Sequence, residues 1–407
     1  MYTKQEKKYI IAAVTAVVIT ICIIIFSEQA FEAAIEGLEV WWNVVFPSLL
    51  PFFIIAEILM GLGVVHFLGA LLEPLMRPVF KVPGVGAFAM AMGLASGYPI
   101  GAKITGNLRR KNLCSKTEAE RLVAFTNTAD PLFMIGAVAV GMFHRAELGI
   151  ILAAAHYISS LIVGFSLRFY KGEEDRTILK SSSYQKRRKN IFSYAIDELV
   201  EARKKDGRST GELIGDSIKE SINTLLLVGG FIILFSVLTR MFLVTGIITI
   251  ISNFLINILH PLGFTEAMVL PLVSGFFEIS NGTNLASQAV APLLHQVIIA
   301  SAIIAWSGMS VHAQVATMIN GTDIRLKPYI FARILQSILA GILTIFLFRP
   351  FQGAVETTFM PFLQGFNTQR GFMFISLIFI SLLTITLTIS LGIYFLQRIK
   401  IIIFYNK

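Results

Sequence analysis

Apolar residues run in long stretches along most of this chain, and polar residues are gathered into the intervals between them. Runs at about 9–26, 43–63, 121–143, 147–169, 221–242, 293–317, 329–349 and 371–396 fall in or near the range of roughly 17–25 residues that spans a hydrocarbon core about 30 Å thick. The pattern predicts eight crossings. Two further apolar stretches, 69–110 and 244–290, are interrupted by Gly and Pro, and each is expected to enter the membrane and turn back on the side it entered.

Composition agrees. Of 407 residues 55% are hydrophobic and 14% charged, against about 25% charged in soluble domains, so an ordinary soluble fold is excluded. The surplus of +9 sits in loops between apolar runs, which is the pattern of positive cytoplasmic loops; no nucleic-acid partner is expected. With the N-terminus inside, 30 of the 34 basic residues fall on one side, and Arg145, Arg240, Arg349 and Arg370 alone fall on the other. Both termini are therefore expected in the cytoplasm. Lys4, Lys7 and Lys8 precede the first apolar run as in a secretory signal, but Phe26-Ser27-Glu28-Gln29 lacks a small-x-small cleavage site, so an uncleaved first helix is expected.

The largest polar segment, 171–219, holds Lys186-Arg187-Arg188-Lys189 and then Phe192, Ile196, Leu199 and Val200 at helical spacing. It reads as a solvated linker with one amphipathic helix against lipid headgroups, or as a docking site for a partner. The flanking halves repeat at an offset of 177 to 180 residues. Phe31-Glu32 with Glu36 and Asn43 matches Gly211-Glu212 with Asp216 and Asn223; Leu94-Ala95-Ser96-Gly97-Tyr98 matches Val273-Ser274-Gly275-Phe276; and Ser160-Leu161-Ile162-Val163-Gly164 matches Ser337-Ile338-Leu339-Ala340-Gly341. Counting crossings gives the halves opposite directions. The fold expected is thus all-α and polytopic, with about eight transmembrane helices and two re-entrant hairpins arranged as inverted repeats. Its divisions are a first helix (1–27), a first repeat (28–170), a basic linker (171–207), a second repeat (208–350) and a C-terminal helix and tail (351–407).

In such folds substrate binds near the midplane, where broken helices offer unpaired backbone groups. Four segments qualify. Gly93 to Lys103, with Ser96, Gly97, Tyr98, Pro99 and Gly101, reads as the tip of one hairpin, and Ser274 to Asn284, with Phe276, Glu278, Ser280 and Asn281, as the tip of the other. Thr126-Asn127-Thr128-Ala129-Asp130-Pro131 is an unwound midpoint, because Pro131 frees carbonyls three and four residues upstream. Trp306-Ser307-Gly308-Met309-Ser310-Val311-His312 is its counterpart. Gly and Ser also serve close helix packing, but Asp130 and Glu278 are costly at depth and point to a cavity or partner. Glu57 sits near a helix end, where snorkelling suffices; His66, His144, His156 and His260 lack metal-ligand spacing, as do Cys22 and Cys114, and no metal site is expected. His312 lies one turn past Ser307-Gly308 and suits either a structural or a cavity-facing role.

Phe46-Pro47-Ser48-Leu49-Leu50-Pro51-Phe52, Ser96-Gly97-Tyr98-Pro99-Ile100-Gly101-Ala102-Lys103, Asn127-Thr128-Ala129-Asp130-Pro131 and Phe277-Glu278-Ile279-Ser280-Asn281-Gly282 together carry a family resemblance. Over essentially its whole length the chain resembles sporulation integral membrane proteins of endospore-forming bacteria. These carry the nucleoside-recognition Gate module and are similar in architecture to concentrative nucleoside transporters. The resemblance implies two opposed hairpins and two unwound helices around one substrate, and transport of dipicolinic acid from the mother cell across the outer forespore membrane. It also implies, by analogy, a homotrimer.

Dipicolinate is a planar aromatic dianion. Lys103, the hydroxyls of Ser96, Ser307 and Ser310, Asn127, Asn281 and hairpin-end N–H groups are candidates for its carboxylates, and Tyr98, Phe276 or Trp306 for its ring. Gly97, Thr128 and Ser280 complete the candidate set. Asp130 and Glu278 would repel the ligand unless protonated, paired with Lys103 or occupied by a coupling cation; Na⁺ or H⁺ near Asn127 and Asp130 is the expectation. In the nucleoside carriers the acid matching Glu278 contacts a ribose. The absence of a P-loop argues against an ATP-driven pump, and no nucleophile-and-base spacing supports an enzyme. A membrane scaffold recruiting partners through the 171–219 segment is the alternative to a secondary carrier.

Overall fold

The computed structural model describes residues 3–171, 191–262 and 264–351, and every regular element among them is helical. The basic run at 186–189 and the eighth expected crossing at 371–396 lie outside the described residues. Helix α1 (Lys4–Ile25) begins in a Thr3/Glu6 capping box and meets the amphipathic α2 (Ser27–Val40) at a bend of 99°. A π-helical turn, Trp41–Val45, then leads into α3 (Phe46–Gly61), and a left-handed Gly63 turns the chain by 81° into α4 (Val64–Phe80).

After α4 come the paired arms α5 (Gly86–Ser96) and α6 (Ile100–Arg110), the short α7 (Lys116–Thr126), a π-helical segment Leu132–Met142, and α8 (Leu148–Ser166). The linker contributes α9 (Ile191–Asp206), which lies along α4 with Phe192 edge-on to Phe67 at 5.7 Å. Phe192, Ile196 and Val200 remain exposed on it, as the amphipathic spacing requires. The Arg208 fork beside Asp206 holds that carboxyl below its usual range and fixes the entry to the next helix.

The second half runs α10 (Thr210–Val244), α11 (Ile247–Leu259), the paired arms α12 (Glu266–Phe277) and α13 (Ile279–Gln288), α14 (Leu293–Trp306), α15 (Gly308–Met318) and α16 (Leu326–Phe351). The order is therefore met twice: helix, left-handed glycine, helix, hairpin, broken helix, long helix. Gly246 occupies in the second half the place of Gly63 in the first. Contacts fix relative directions. Gly37, Trp41 and Gly61 face Ser236, Gly229 and Leu213, so α2 and α3 run antiparallel to α10. His156 meets Gln336, while Val163 and Leu167 share a pocket wall with Ala332 and Arg325, so α8 runs antiparallel to α16.

Among the described residues four helical stretches are long and apolar enough to cross a membrane, Leu148–Phe169, Thr210–Val244, Leu293–Met318 and Leu326–Phe348, and six if each bent pair is one span. The expected crossing at 121–143 is not one helix but α7, an unwound stretch and the π-helical segment. Isoleucine, valine, leucine and phenylalanine side chains lie exposed along α1, α8, α10 and α16, an outer surface that only hydrocarbon solvates without cost. Charge is gathered at one end of the bundle, where Arg109 bridges to Asp323, Arg325 to Glu120, and Arg77 to Glu73 and Glu118. Two basic residues assigned to that end by sequence lie inside instead, Lys103 and Arg333, 5% and 0% exposed, and Arg121 is buried at that end, donating to the Lys81 and Tyr170 carbonyls.

Candidate functional site at the two helix breaks

The first hairpin turns at Gly97-Tyr98-Pro99, where the Tyr98–Pro99 peptide is cis. Its arms press against the end of α7: a Cβ on Gly101 would collide with the Thr126 carbonyl, and Gly97 abuts the Asp130 side chain. The chain then unwinds from Asn127 to Asp130 ahead of Pro131. Backbone groups released there need partners, since water is excluded. Side chains supply them. His156 Nε2 accepts from the Ala129 N–H at 3.0 Å, Tyr157 donates to the Ala129 carbonyl at 3.1 Å, Thr128 donates to the Gly93 carbonyl at 3.0 Å, and Asp130 accepts from the Phe133 N–H at 2.8 Å.

The second hairpin breaks at Glu278, whose buried carboxylate caps α13 by accepting from the Asn281 N–H at 2.7 Å. Against it lies the break between α14 and α15, where Ser307 (φ 70°) and Gly308 (φ 73°) are both left-handed. A Cβ on Gly308 would sit 3.0 Å from the Phe277 carbonyl, so glycine lets the two breaks touch without either shifting. Trp306 donates to the Phe276 carbonyl and stacks on the Phe276 ring at 5.4 Å; on its other side it meets His312 at 4.3 Å.

Two residues of α16 join the breaks. The Tyr329 hydroxyl accepts from Asn127 Nδ2 at 3.1 Å and lies 3.4 Å from the Ser307 hydroxyl. Arg333 donates to the carbonyls of Ala124 and Asn127 and, at 3.4 Å, to the Tyr98 hydroxyl, which itself donates to the Ile304 carbonyl at 3.0 Å. Its guanidinium stands over the Tyr329 ring and has no carboxylate partner among the described residues. Six buried polar atoms around this junction lack a hydrogen-bond partner among the described residues: Ser96 Oγ, Asn127 Oδ1, His156 Nδ1, His312 Nε2, Arg333 Nε and Gln336 Oε1. Buried polar groups are rarely left so, and a cluster of them needs a reason.

The structure thus brings Ser96, Gly97, Tyr98, Asn127, Thr128, Asp130, Ser307 and His312 around one centre. Glu278, Ser280, Asn281 and Trp306 border it through the second hairpin, and Ser310 faces Gln314 on α15. Lys103 turns away. Its ammonium is 3.0 Å from Glu57, 2.9 Å from the Thr224 hydroxyl and over the Phe53 ring, so Glu57 is an ion-pair partner rather than a snorkelling end residue. The Asn127 carbonyl, near which a coupling cation was expected, accepts from Arg333 at 3.0 Å. Among the described residues no three His, Cys, Asp or Glu side chains cluster to hold a metal ion.

Comparison with known proteins bears on this arrangement. The nucleoside-recognition (Gate) family model matches residues 42–170, which run from the π-helical turn before α3 to the end of α8. Over 355 residues the chain is 44% identical to the sporulation integral membrane protein YlbJ of Bacillus subtilis (strain 168), covering 86% of this chain and 85% of that protein. The chain belongs to the YlbJ family. It is an integral membrane protein of a sporulation family, and both hairpin 1 and the unwound 127–131 segment fall inside the matched Gate region. No solved structure matches it. Arg333 and Tyr329, which the sequence analysis did not single out, lie beyond that region, as does the Ser307 break that they join to it.

Proposed function

We propose that the chain is a secondary carrier of a small organic dianion, dipicolinate by the family's tie to sporulation, working by alternating access across the outer forespore membrane with both termini in the mother-cell cytoplasm. One observation carries the reading: a fully buried guanidinium without a carboxylate partner among the described residues, at the point where both helix breaks and the first hairpin converge. A buried charge costs several kcal/mol unless something compensates it. Two carbonyls and a hydroxyl solvate Arg333 in part, and a carboxylate would complete the shell with charge-assisted bonds. The unpartnered Ser96 and Arg333 donors and the nearby Tyr329, His312 and Trp306 rings suit a flat aromatic acid better than a neutral sugar.

The duplicated element order and the antiparallel pairs α3/α10 and α8/α16 support inverted repeats. In that scheme each hairpin shields the site from one side, and the hairpins with their broken helices rock against α3, α4, α10 and α11. The test is purified protein in liposomes, following labelled dipicolinate, nucleosides and other dicarboxylates with and without Na⁺ and pH gradients. Dipicolinate flux well above empty liposomes is expected. Folded protein that moves nucleosides and not dipicolinate would overturn the assignment.

A further inference from the structure

At the basic end of the bundle, α8 and α16 splay around a pocket of about 480 Å³, within the size range of ligand sites. It lies apart from the helix breaks. Val163, Leu167, Phe331 and Leu335 give it apolar walls, and Arg325 and Lys327 stand on its rim. The walls continue into surface that faces hydrocarbon, with Phe331 and Ile338 exposed on α16 and Leu161 and Phe165 on α8.

The rim is electropositive beyond its own needs. Glu120 is the acid beside it, and Arg325 occupies both its oxygens at 2.8 and 3.1 Å while Tyr170 donates to one of them. That leaves Lys327 on the rim, which is exposed; Arg168 is not part of the lining, its guanidinium lying over Phe165 at 5.1 Å and Phe169 at 5.5 Å on another face of α8. Lys327 meets no carboxylate among the described residues. An apolar slot open to lipid and crowned by cations is complementary to one class of molecule.

We propose that this pocket holds an anionic phospholipid, one acyl chain against Val163, Leu167 and Leu335 and the phosphate at the rim formed by Arg325 and Lys327. The lipid ties together the last helices of the two halves at the end where charge gathers. A free anion finds too few donors here, because most of the lining is apolar.

Native mass spectrometry of the full chain in neutral detergent, with dioleoylphosphatidylglycerol or dioleoylphosphatidylcholine added, tests this. One phosphatidylglycerol per chain should be retained, at least roughly tenfold better than phosphatidylcholine, a difference of about 1.4 kcal/mol. Lys327→Glu should abolish the preference, while Arg168→Gln, outside the lining, and Lys219→Glu, a reversal at an exposed lysine on α10 at the same end, should leave it intact. Lys327 is exposed, so its variant is expected to fold, and a cooperative melt verifies it. Equal retention of both lipids, equal loss in the Lys219 variant, or displacement of the lipid by millimolar inorganic phosphate or dipicolinate would each overturn the proposal.

Discussion

The Arg333 guanidinium donates to the Asn127 carbonyl at 3.0 Å, joining points 206 residues apart. Asn127 ends α7, and a cation there meets the negative end of the helix dipole as well as two freed carbonyls. The positive charge is thus fixed in place before any ligand arrives, and this preorganisation is what a dianion site requires.

The Tyr329 hydroxyl links the two breaks, so Tyr329→Phe removes the Asn127–Tyr329–Ser307 connection while keeping the ring that packs on Arg333 and His312. Losing one buried partner costs about 1–3 kcal/mol. Dipicolinate flux in liposomes should fall roughly tenfold with unchanged membrane abundance. Full flux would show that the connection plays no part in transport.

Lys103 and Glu57 form a pair between α6 and α3, so their contribution is structural. Breaking one side of a buried pair costs about 3–5 kcal/mol, and removing both costs far less. Lys103→Met alone should lower the melting temperature markedly, and Lys103→Met with Glu57→Leu should restore most of it. The restored protein should still bind dipicolinate; if stability returns and binding does not, Lys103 touches the substrate after all.

Gly101 allows hairpin 1 to seat on the Thr126 carbonyl, whereas Gly211 faces open space. Gly101→Val should leave little folded protein by size-exclusion chromatography, and Gly211→Ala should behave as wild type. A well-folded Gly101→Val protein would mean that the hairpin does not pack as described.

The four breaks were legible because their causes are local: Pro131, Gly97 with Pro99, Gly308, and the polar Glu278 each disrupt a helix where they stand. The partners that make these breaks a site were not. His156, Tyr329 and Arg333 lie on α8 and α16, helices that read as plain spans, and tertiary packing alone brings them to Asn127 and Ala129. Arg333 was counted with the loop charges because it follows Arg325 and Lys327 closely, yet two turns into α16 it is buried. Lys103, counted with the same loop charges, is buried as well. Four residues past the Pro99 turn, the helical twist of α6 carries it to the face against α3 and α10. The bends at Phe26 and Gly63 fall where the apolar runs 9–26 and 43–63 end, so their places were legible, whereas their angles of 99° and 81° were not.

Equilibrium binding of labelled dipicolinate to the purified protein tests the central claim most directly, with Arg333→Gln and Arg333→Lys compared at matched folded fraction. Charge-assisted hydrogen bonds are worth about 1.5–3 kcal/mol, or roughly 10- to 100-fold in affinity. Saturable binding by the wild type, lost by that factor in Arg333→Gln and partly kept in Arg333→Lys, is the predicted result. Unchanged dipicolinate affinity in a folded Arg333→Gln protein would contradict the account.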